Sequence, residues 1–284
     1  MGERKRIWLI NNEASGSNDA DALLACEQAC EDNGLHIAQR TTFPAQDLPT
    51  PDLLDAADIE IAAIYAGDGT INAALQALGG WSGSVLVLPG GTMNLLYHRL
   101  FGDAEMTDAV QAVSQERAVR RNPGVISSNC GTAYAGILAG PGTEWANVRE
   151  AMRDTAPIEI VDETRNAFAQ TVWGNRLRCA EPDLGTRDGY PLILLNPRDH
   201  GIEADAYHAE NAAEFTEQLF AIIRRDFREG PHDRLGSADR FVLENVDGGN
   251  FGILFDGEPC EAGGATEFVL EPAKVNLLAT VADD

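Results

Sequence analysis

The sequence predicts an α/β domain built on a parallel sheet, followed by a region of short strands joined by turns. Three observations carry this. Apolar, strand-like runs alternate with helically spaced segments as far as about Arg120. Two of those runs, Ile59–Tyr65 and Ser84–Leu88, break at glycine turns and continue as helices. Beyond Arg120 the alternation stops, and short runs separated by Gly, Asn and Asp take over. Alternating strand and helix is the pattern of a parallel sheet, whose crossovers need helices; closely spaced turn signals are the pattern of antiparallel strands.

Taken in order, residues 6–11 read as the first strand, ending at a turn over Asn11–Gly16. Asn18 to about Asn33 reads as a helix stopped by Gly34. His36–Thr42 is the second strand, and Pro44, Pro49 and Pro51 impose a loop with a short helix. Ile59–Tyr65 then enters Gly67-Asp68-Gly69, after which Ile71, Ala74, Leu75 and Leu78 fall on one helix face. Ser84–Leu88 enters Pro89-Gly90-Gly91-Thr92, followed by Met93, Leu96, Tyr97 and Leu100 at helical spacing. A helix over Met106–Glu116 completes the first part. In the second part, Phe168–Trp173 and Arg176–Ala180 flank Gly174-Asn175, and Phe241–Val246 and Phe251–Phe255 flank Asp247-Gly248-Gly249; both pairs read as hairpins. Tyr190–Leu195 and Glu267–Leu270 read as further strands, Thr143–Asp154 and Glu210–Phe227 as helices, and Lys274–Val281 as a final strand.

Composition narrows the function. The chain of 284 residues carries 45 acidic and 21 basic side chains, a net charge of −24, and its only lysines are Lys5 and Lys274. Such a surface repels nucleic-acid phosphate, which sets DNA and RNA aside as partners, and it limits contact with an anionic bilayer to a transient one. No apolar run approaches the ~20 residues of a membrane helix, and MGERKRIWLINN lacks the pattern of a signal peptide. Five cysteines without framework spacing (Cys26, Cys30, Cys130, Cys179, Cys260) read as reduced thiols, and the protein as cytoplasmic. The five histidines show no ligand spacing, and no motif bears on oligomeric state.

The two glycine turns carry the chemistry. A strand that turns at glycine and leaves as a helix presents backbone N–H groups to an anion such as phosphate. In one parallel sheet, two neighbouring turns of this kind lie at the same edge, beyond the carboxyl ends of the strands. Asp68 puts a carboxylate in the first turn, where it calls for a metal ion, a ribose hydroxyl or a proton to be moved. The chain has neither GxGxxG after its first strand nor GxxxxGK[ST], which counts against an NAD-type Rossmann site and a P-loop.

AGDGTIN followed by LPGGTMNLL resembles the paired signature of the diacylglycerol kinase and sphingosine kinase catalytic domain family, GGDGTxN and then PxGTxNxxA. FDGE at Phe255–Glu258 resembles the family's third mark, Asn11–Gly16 its opening NPxSG turn, and Thr41-Thr42 the end of its second strand. The resemblance is close up to about Leu100, thin from Val125 to about Asp239, and returns at the end. It implies a nucleotide-binding three-layer α/β domain over residues 1–121, rejoined by 274–284. It implies a second domain over 122–273, an antiparallel β-sandwich with helical insertions that binds the acceptor.

The resemblance also implies an ATP- and Mg²⁺-dependent kinase that transfers the γ-phosphate to a hydroxyl of a diacylglycerol- or sphingosine-like lipid, with ATP between the domains. Its ATP contacts would be Thr42, Ala66, Gly67, Asp68, Gly69, Thr70, Ile71, Asn72, Gly91, Thr92 and Asn94. Asp68 would hold Mg²⁺ or position the phosphates, and Asp199, in a loop over Leu195–Tyr207, would be the candidate for a structural Mg²⁺ site, where the residues alone offer a solvated acidic loop. Asp256 and Glu258 would form the acid–base pair, with Glu258 the proton acceptor and Asp256 the alternative. For Asp256 and Glu258 the residues alone offer a plain hairpin-end turn, for Asp68 a turn residue bonding its own backbone, and for Thr92 a helix cap. Ala66 stands where the family has glycine. Two other functions remain open: an NAD-kinase-type or phosphofructokinase-type enzyme, and a nucleotide-binding protein without turnover.

Overall fold

The structure, a computed structural model, describes residues 4–12, 20–140, 176–207 and 232–282. The chain divides into two compact units, residues 1–123 with 272–284, and residues 124–271. The expected helices at Thr143–Asp154 and Glu210–Phe227, the strand Phe168–Trp173 with its Gly174-Asn175 turn, and most of the Asn11–Gly16 turn lie outside the described residues.

The first unit is the α/β domain that the alternation predicts. Its strands are β1 (Lys5–Asn11), β2 (Leu35–Thr42), β3 (Ile61–Ala66), β4 (Ser84–Pro89), β5 (Val119–Arg121) and β17 (Asn276–Ala279). They form one sheet in the order β2-β1-β3-β4-β17-β5. All neighbours are parallel except the last pair. The helices are α1 (Ala20–Asp32), α2 (Pro51–Ala56), α3 (Asp68–Ala77), α4 (Leu95–Phe101) and α5 (Met106–Ser114). Strand β3 is buried along its whole length, as a central parallel strand covered on both faces must be. The crossover from β1 through α1 runs to one side of the sheet and that from β3 through α3 to the other. Right-handed connections therefore place α1 and α3 on opposite faces, which makes three layers. Gly34, at φ +79°, ends α1 in the left-handed conformation that a helix stop needs, and Pro51 opens α2.

The second unit is a sandwich of two antiparallel sheets. One has the order β7-β6-β16-β13-β9, with β6 Gly124–Ser128, β7 Gly131–Ala133, β9 Leu177–Glu181, β13 Arg240–Asn245 and β16 Ala265–Pro272. The other has the order β12-β11-β10-β8-β14-β15, with β8 Ile137–Gly140, β10 Leu192–Arg198, β11 Gly201–Tyr207, β12 His232–Ala238, β14 Phe251–Phe255 and β15 Glu258–Ala262. Their inner faces share one core: Ile126, Leu243 and Phe268 from the first sheet pack with Ile193, Ile253 and Phe255 from the second.

Three sequence expectations change here. Phe241–Val246 and Phe251–Phe255 do not form a hairpin. The turn at Asp247-Gly248-Gly249 exists, with the Gly248 N–H donating to Asn245 O at 2.9 Å. Beyond it the chain crosses over: β13 pairs with β9 and β16, and β14 with β8 and β15. Leu195–Tyr207 is no loop but most of the β10–β11 hairpin. Arg198 pairs with Glu203 at 3.0 Å, Ile202, Ala204 and Ala206 are buried, and Asp205 between them is 9% exposed. The cysteines are not all thiols: Cys130 and Cys260 form a disulfide across 130 residues of sequence, and Cys26, Cys30 and Cys179 are free and buried. No spacing rule exposes a pair brought together by the packing of two sheets.

The net charge of −24 makes the folded state repel itself. Salt shortens the reach of that repulsion, from about 10 Å at 0.1 M to about 3 Å at 1 M. The midpoint of thermal unfolding, followed by circular dichroism, is expected to rise steadily with potassium chloride over that range.

Candidate active site

The carboxyl ends of β1, β2, β3 and β4 lie at one edge of the first unit's sheet. Asn11 stands opposite both Thr42 and Tyr65, and Ala66 opposite Pro89. The crossovers diverge between β1 and β3, which makes this edge the topological switch point where α/β sheets bind ligands. The sequence-predicted nucleotide residues of the two glycine turns, together with Thr42, converge here.

The two turns are built against each other. A Cβ on Gly90 would come within 2.6 Å of the Ala66 nitrogen, and one on Gly91 within 2.6 Å of the Gly67 Cα. The second turn therefore needs its glycines to lie on the backbone of the first. Across that contact the Leu95 N–H donates to Asp68 Oδ1 at 2.9 Å. Asp68 thus bonds backbone, as the structural reading of a turn aspartate expects, but the backbone belongs to the other turn. Ala66 is the last residue of β3, buried and without positive φ, so the absence of glycine there costs nothing.

The remaining polar groups sort by what they touch. Gly67 occupies the N-cap of α3 with extended backbone and no side-chain cap. Thr70, three residues into α3 and buried, accepts from Asn12 Nδ2 at 2.8 Å. The hydroxyl of Thr42 donates to Asn11 Oδ1 at 3.2 Å. Gly69 and the half-buried Asn72 lie in the first turns of α3, whereas the Ile71 side chain belongs to the core and leaves only its backbone for a ligand. Helix α4 begins at Leu95 with Asn94 as its N-cap, later than the spacing from Met93 suggests, so Thr92 is exposed and caps no helix. Asn94, at φ +49°, accepts from the Gly91 N–H at 2.8 Å and donates to the Gly91 carbonyl at 2.9 Å. Its amide shapes the turn. Asn12 was legible only as part of the opening turn, and no local pattern marks it as a partner of Thr70.

In the second unit, Asp256 and Gly257 form the two-residue turn between β14 and β15. Both have positive φ, +47° and +86°, and Phe255 pairs with Glu258 across them. This is the Asp-Gly geometry that hairpins of matching twist prefer. The turn aspartate is not solvated. It is 4% exposed, and its carboxylate accepts from the N–H groups of Tyr134 (2.7 Å), Ala135 (2.7 Å) and Gly136 (2.9 Å). A carboxylate held by three backbone donors is stabilised as the anion and is a poor proton acceptor. Asp256 therefore anchors its turn to the 134–136 segment. Glu258 stands at the start of β15, directly after this turn, and is half-buried. Nothing in the sequence pointed to the 134–136 segment, more than a hundred residues away from the turn it grips. Asp199 lies in the exposed β10–β11 turn. Among the described residues no group of three or more His, Cys, Asp or Glu is placed to hold a metal, so Asp199 belongs to no multi-carboxylate cage.

Residues 6–124 match the model of the diacylglycerol kinase catalytic domain. This stretch belongs to the diacylglycerol kinase catalytic domain family. None of the curated proteins matches the sequence. Two solved structures from Bacillus anthracis str. Sterne, one named a diacylglycerol kinase and one given that name provisionally, share the fold. The provisionally named one is 14% identical, with a TM-score of 0.61, and the match covers 100% of this chain and 98% of that one. The other is 13% identical, with a TM-score of 0.60, covering 99% and 98%. The family's paired turns are the ones that Asp68, Gly90 and Gly91 lock together here.

Two outcomes are expected. Gly90→Ala forces its methyl into the Ala66 backbone and should cost about 1–3 kcal/mol in chemical denaturation. Burial, aided by the Asp256 charge, pushes the Tyr134 phenol up to about 12. The folded state then keeps that proton after the unfolded chain loses it near 10. The contribution to stability is whole below pH 10 and falls away as pH climbs through 12. In an ultraviolet titration, Asp256→Asn should lower the Tyr134 midpoint while leaving it above 10, because burial remains.

Proposed function

We propose that the protein is an ATP- and Mg²⁺-dependent kinase that transfers the γ-phosphoryl group to a hydroxyl of a diacylglycerol- or sphingosine-like lipid. The observation that carries this reading is the pair of glycine turns at the switch-point edge, joined through Asp68, in a stretch of the diacylglycerol kinase catalytic domain family.

The residues fit the two groups. Backbone N–H groups at the start of α3 suit an anion, and the Asn12–Thr70 and Thr42–Asn11 bonds hold hydroxyls at the same edge. Magnesium in phosphoryl-transfer sites is held by one or two carboxylates with water and phosphate oxygens, so Asp68 suffices as the protein's share. When bound, ATP–Mg²⁺ supplies the transferable phosphoryl group and neutralises charge that builds up on its oxygens.

The division of labour follows. The first unit orients the phosphates through the Gly67–Asn72 and Gly91–Thr92 backbone and keeps them aligned by locking its two turns. Glu258 of the second unit accepts the proton of the acceptor hydroxyl, a poor nucleophile until that proton can leave. Asp256 fixes the turn that carries Glu258. Among the described residues no helix is long and apolar enough to cross a membrane. A lipid acceptor would therefore be met at a bilayer surface or after extraction, against the repulsion of an acidic protein.

The test is turnover of labelled ATP–Mg²⁺ with diacylglycerol, sphingosine-like lipids, NAD and sugar phosphates, alongside calorimetry with ATP. Phosphorylation of a lipid alcohol is expected. NAD phosphorylation would give the NAD-kinase reading instead, and ATP binding without turnover a non-catalytic protein. Glu258→Gln should lower kcat by about 10²–10⁴-fold. Asp68→Asn should abolish turnover in a folded protein, since the amide keeps an oxygen for the Leu95 N–H. Unchanged rates in both variants would overturn the assigned roles.

A further inference from the structure

The hairpin that carries Glu258 is fastened twice to a single neighbouring segment. At its tip, Asp256 accepts the N–H groups of Tyr134, Ala135 and Gly136. Farther along β15, Cys260 is disulfide-bonded to Cys130, in the turn between β6 and β7. The stretch 256–260 is thus stapled onto 130–136, with Glu258 between the two fastenings.

The staple lies at the margins of the two described sheets. Among the described residues β15 is the last strand of its sheet and pairs with β14, and β7 is the last strand of the other sheet. The disulfide joins β15 to the turn that leads into β7. An edge strand with one ladder opens more readily than a central one, and Glu258 is the first residue of that strand. The sulfurs of Cys130 and Cys260 belong to half-buried residues at the rim of the core, within reach of a solvent-borne thiol. The other three cysteines are buried, and burial pushes the Cys179 thiol up to about 11, so they stand outside the exchange.

We propose that the Cys130–Cys260 disulfide is a redox switch that positions Glu258: oxidised, it holds the hairpin closed; reduced, it releases β15 and turnover falls. The effect on turnover rests on the reading of Glu258 as the proton acceptor. The reductant is a dithiol. One of its thiolates attacks a bridge sulfur, the Cys130–Cys260 bond breaks, and its second thiol resolves the mixed disulfide. Two electrons and two protons pass to the protein, leaving two cysteine thiols and an oxidised dithiol.

The test compares the full chain before and after dithiothreitol, with the double variant Cys130→Ser/Cys260→Ser as control. Denatured without reductant, the protein should show the three free thiols of Cys26, Cys30 and Cys179 out of five cysteines. Hydrogen exchange should rise on reduction at 251–262 and at 130–136, and not in the first unit. With an acceptor found, kcat should fall about tenfold at unchanged KM for ATP. The double variant should behave as reduced protein in both conditions. Five thiols without reductant, or hairpin exchange indifferent to reduction, would overturn the switch; so would an unchanged kcat in a protein whose Glu258→Gln variant is inactive. If no acceptor is phosphorylated in either state the proposed function fails, and if Glu258→Gln keeps full turnover the role of Glu258 fails, while the exchange data still decide the latch.

Discussion

One hydrogen bond organises the first unit. The Leu95 N–H reaches Asp68 across the contact between two turns, and that contact exists only because Gly90 and Gly91 carry no side chains. Each turn alone is a common strand-to-helix junction. Locked together, they make a rigid double edge beside the switch point of a parallel sheet, with Thr42, Asn12 and Thr70 already bonded around it. Ligand-binding backbone that is fixed before the ligand arrives loses little freedom on binding.

The same economy appears in the second unit. Asp256 occupies the first turn position with left-handed backbone, which Asp-Gly tolerates, and turns its carboxylate inward onto three N–H groups. Removing the carboxylate would leave buried donors without an acceptor. The turn is thereby tied to the 134–136 segment, and the strand that begins with Glu258 starts from a fixed point.

Much of this was legible in the sequence, for identifiable reasons. The βα alternation, the stop at Gly34 and the buried run Ile61–Ala66 are local signals, and the structure reproduces them. The glycine turns were visible, but no local pattern shows that Gly90 and Gly91 lie on the backbone of the neighbouring turn. What failed was long-range. Asp247-Gly248-Gly249 has the residues of a hairpin turn, yet a turn does not determine which strand lies beside the one that follows it, and in a sandwich the chain can change sheets there. The acidic look of Leu195–Tyr207 hid a hairpin whose second strand is buried at every position but Glu203. The partners of Asp256 and of Cys260 are more than a hundred residues distant, and neither has a sequence signature.

Strand β17 has a further consequence. It lies inside the first unit's sheet, between β4 and β5, although it is drawn from the far end of the chain, whereas the family match stops at residue 124. The ribosome must pass residue 279 before that sheet can close, so the first unit stays unsealed while the sandwich is being made. A proteolytic piece ending at Pro123 would keep every glycine corner and still leave β4 and β5 without the strand that joins them.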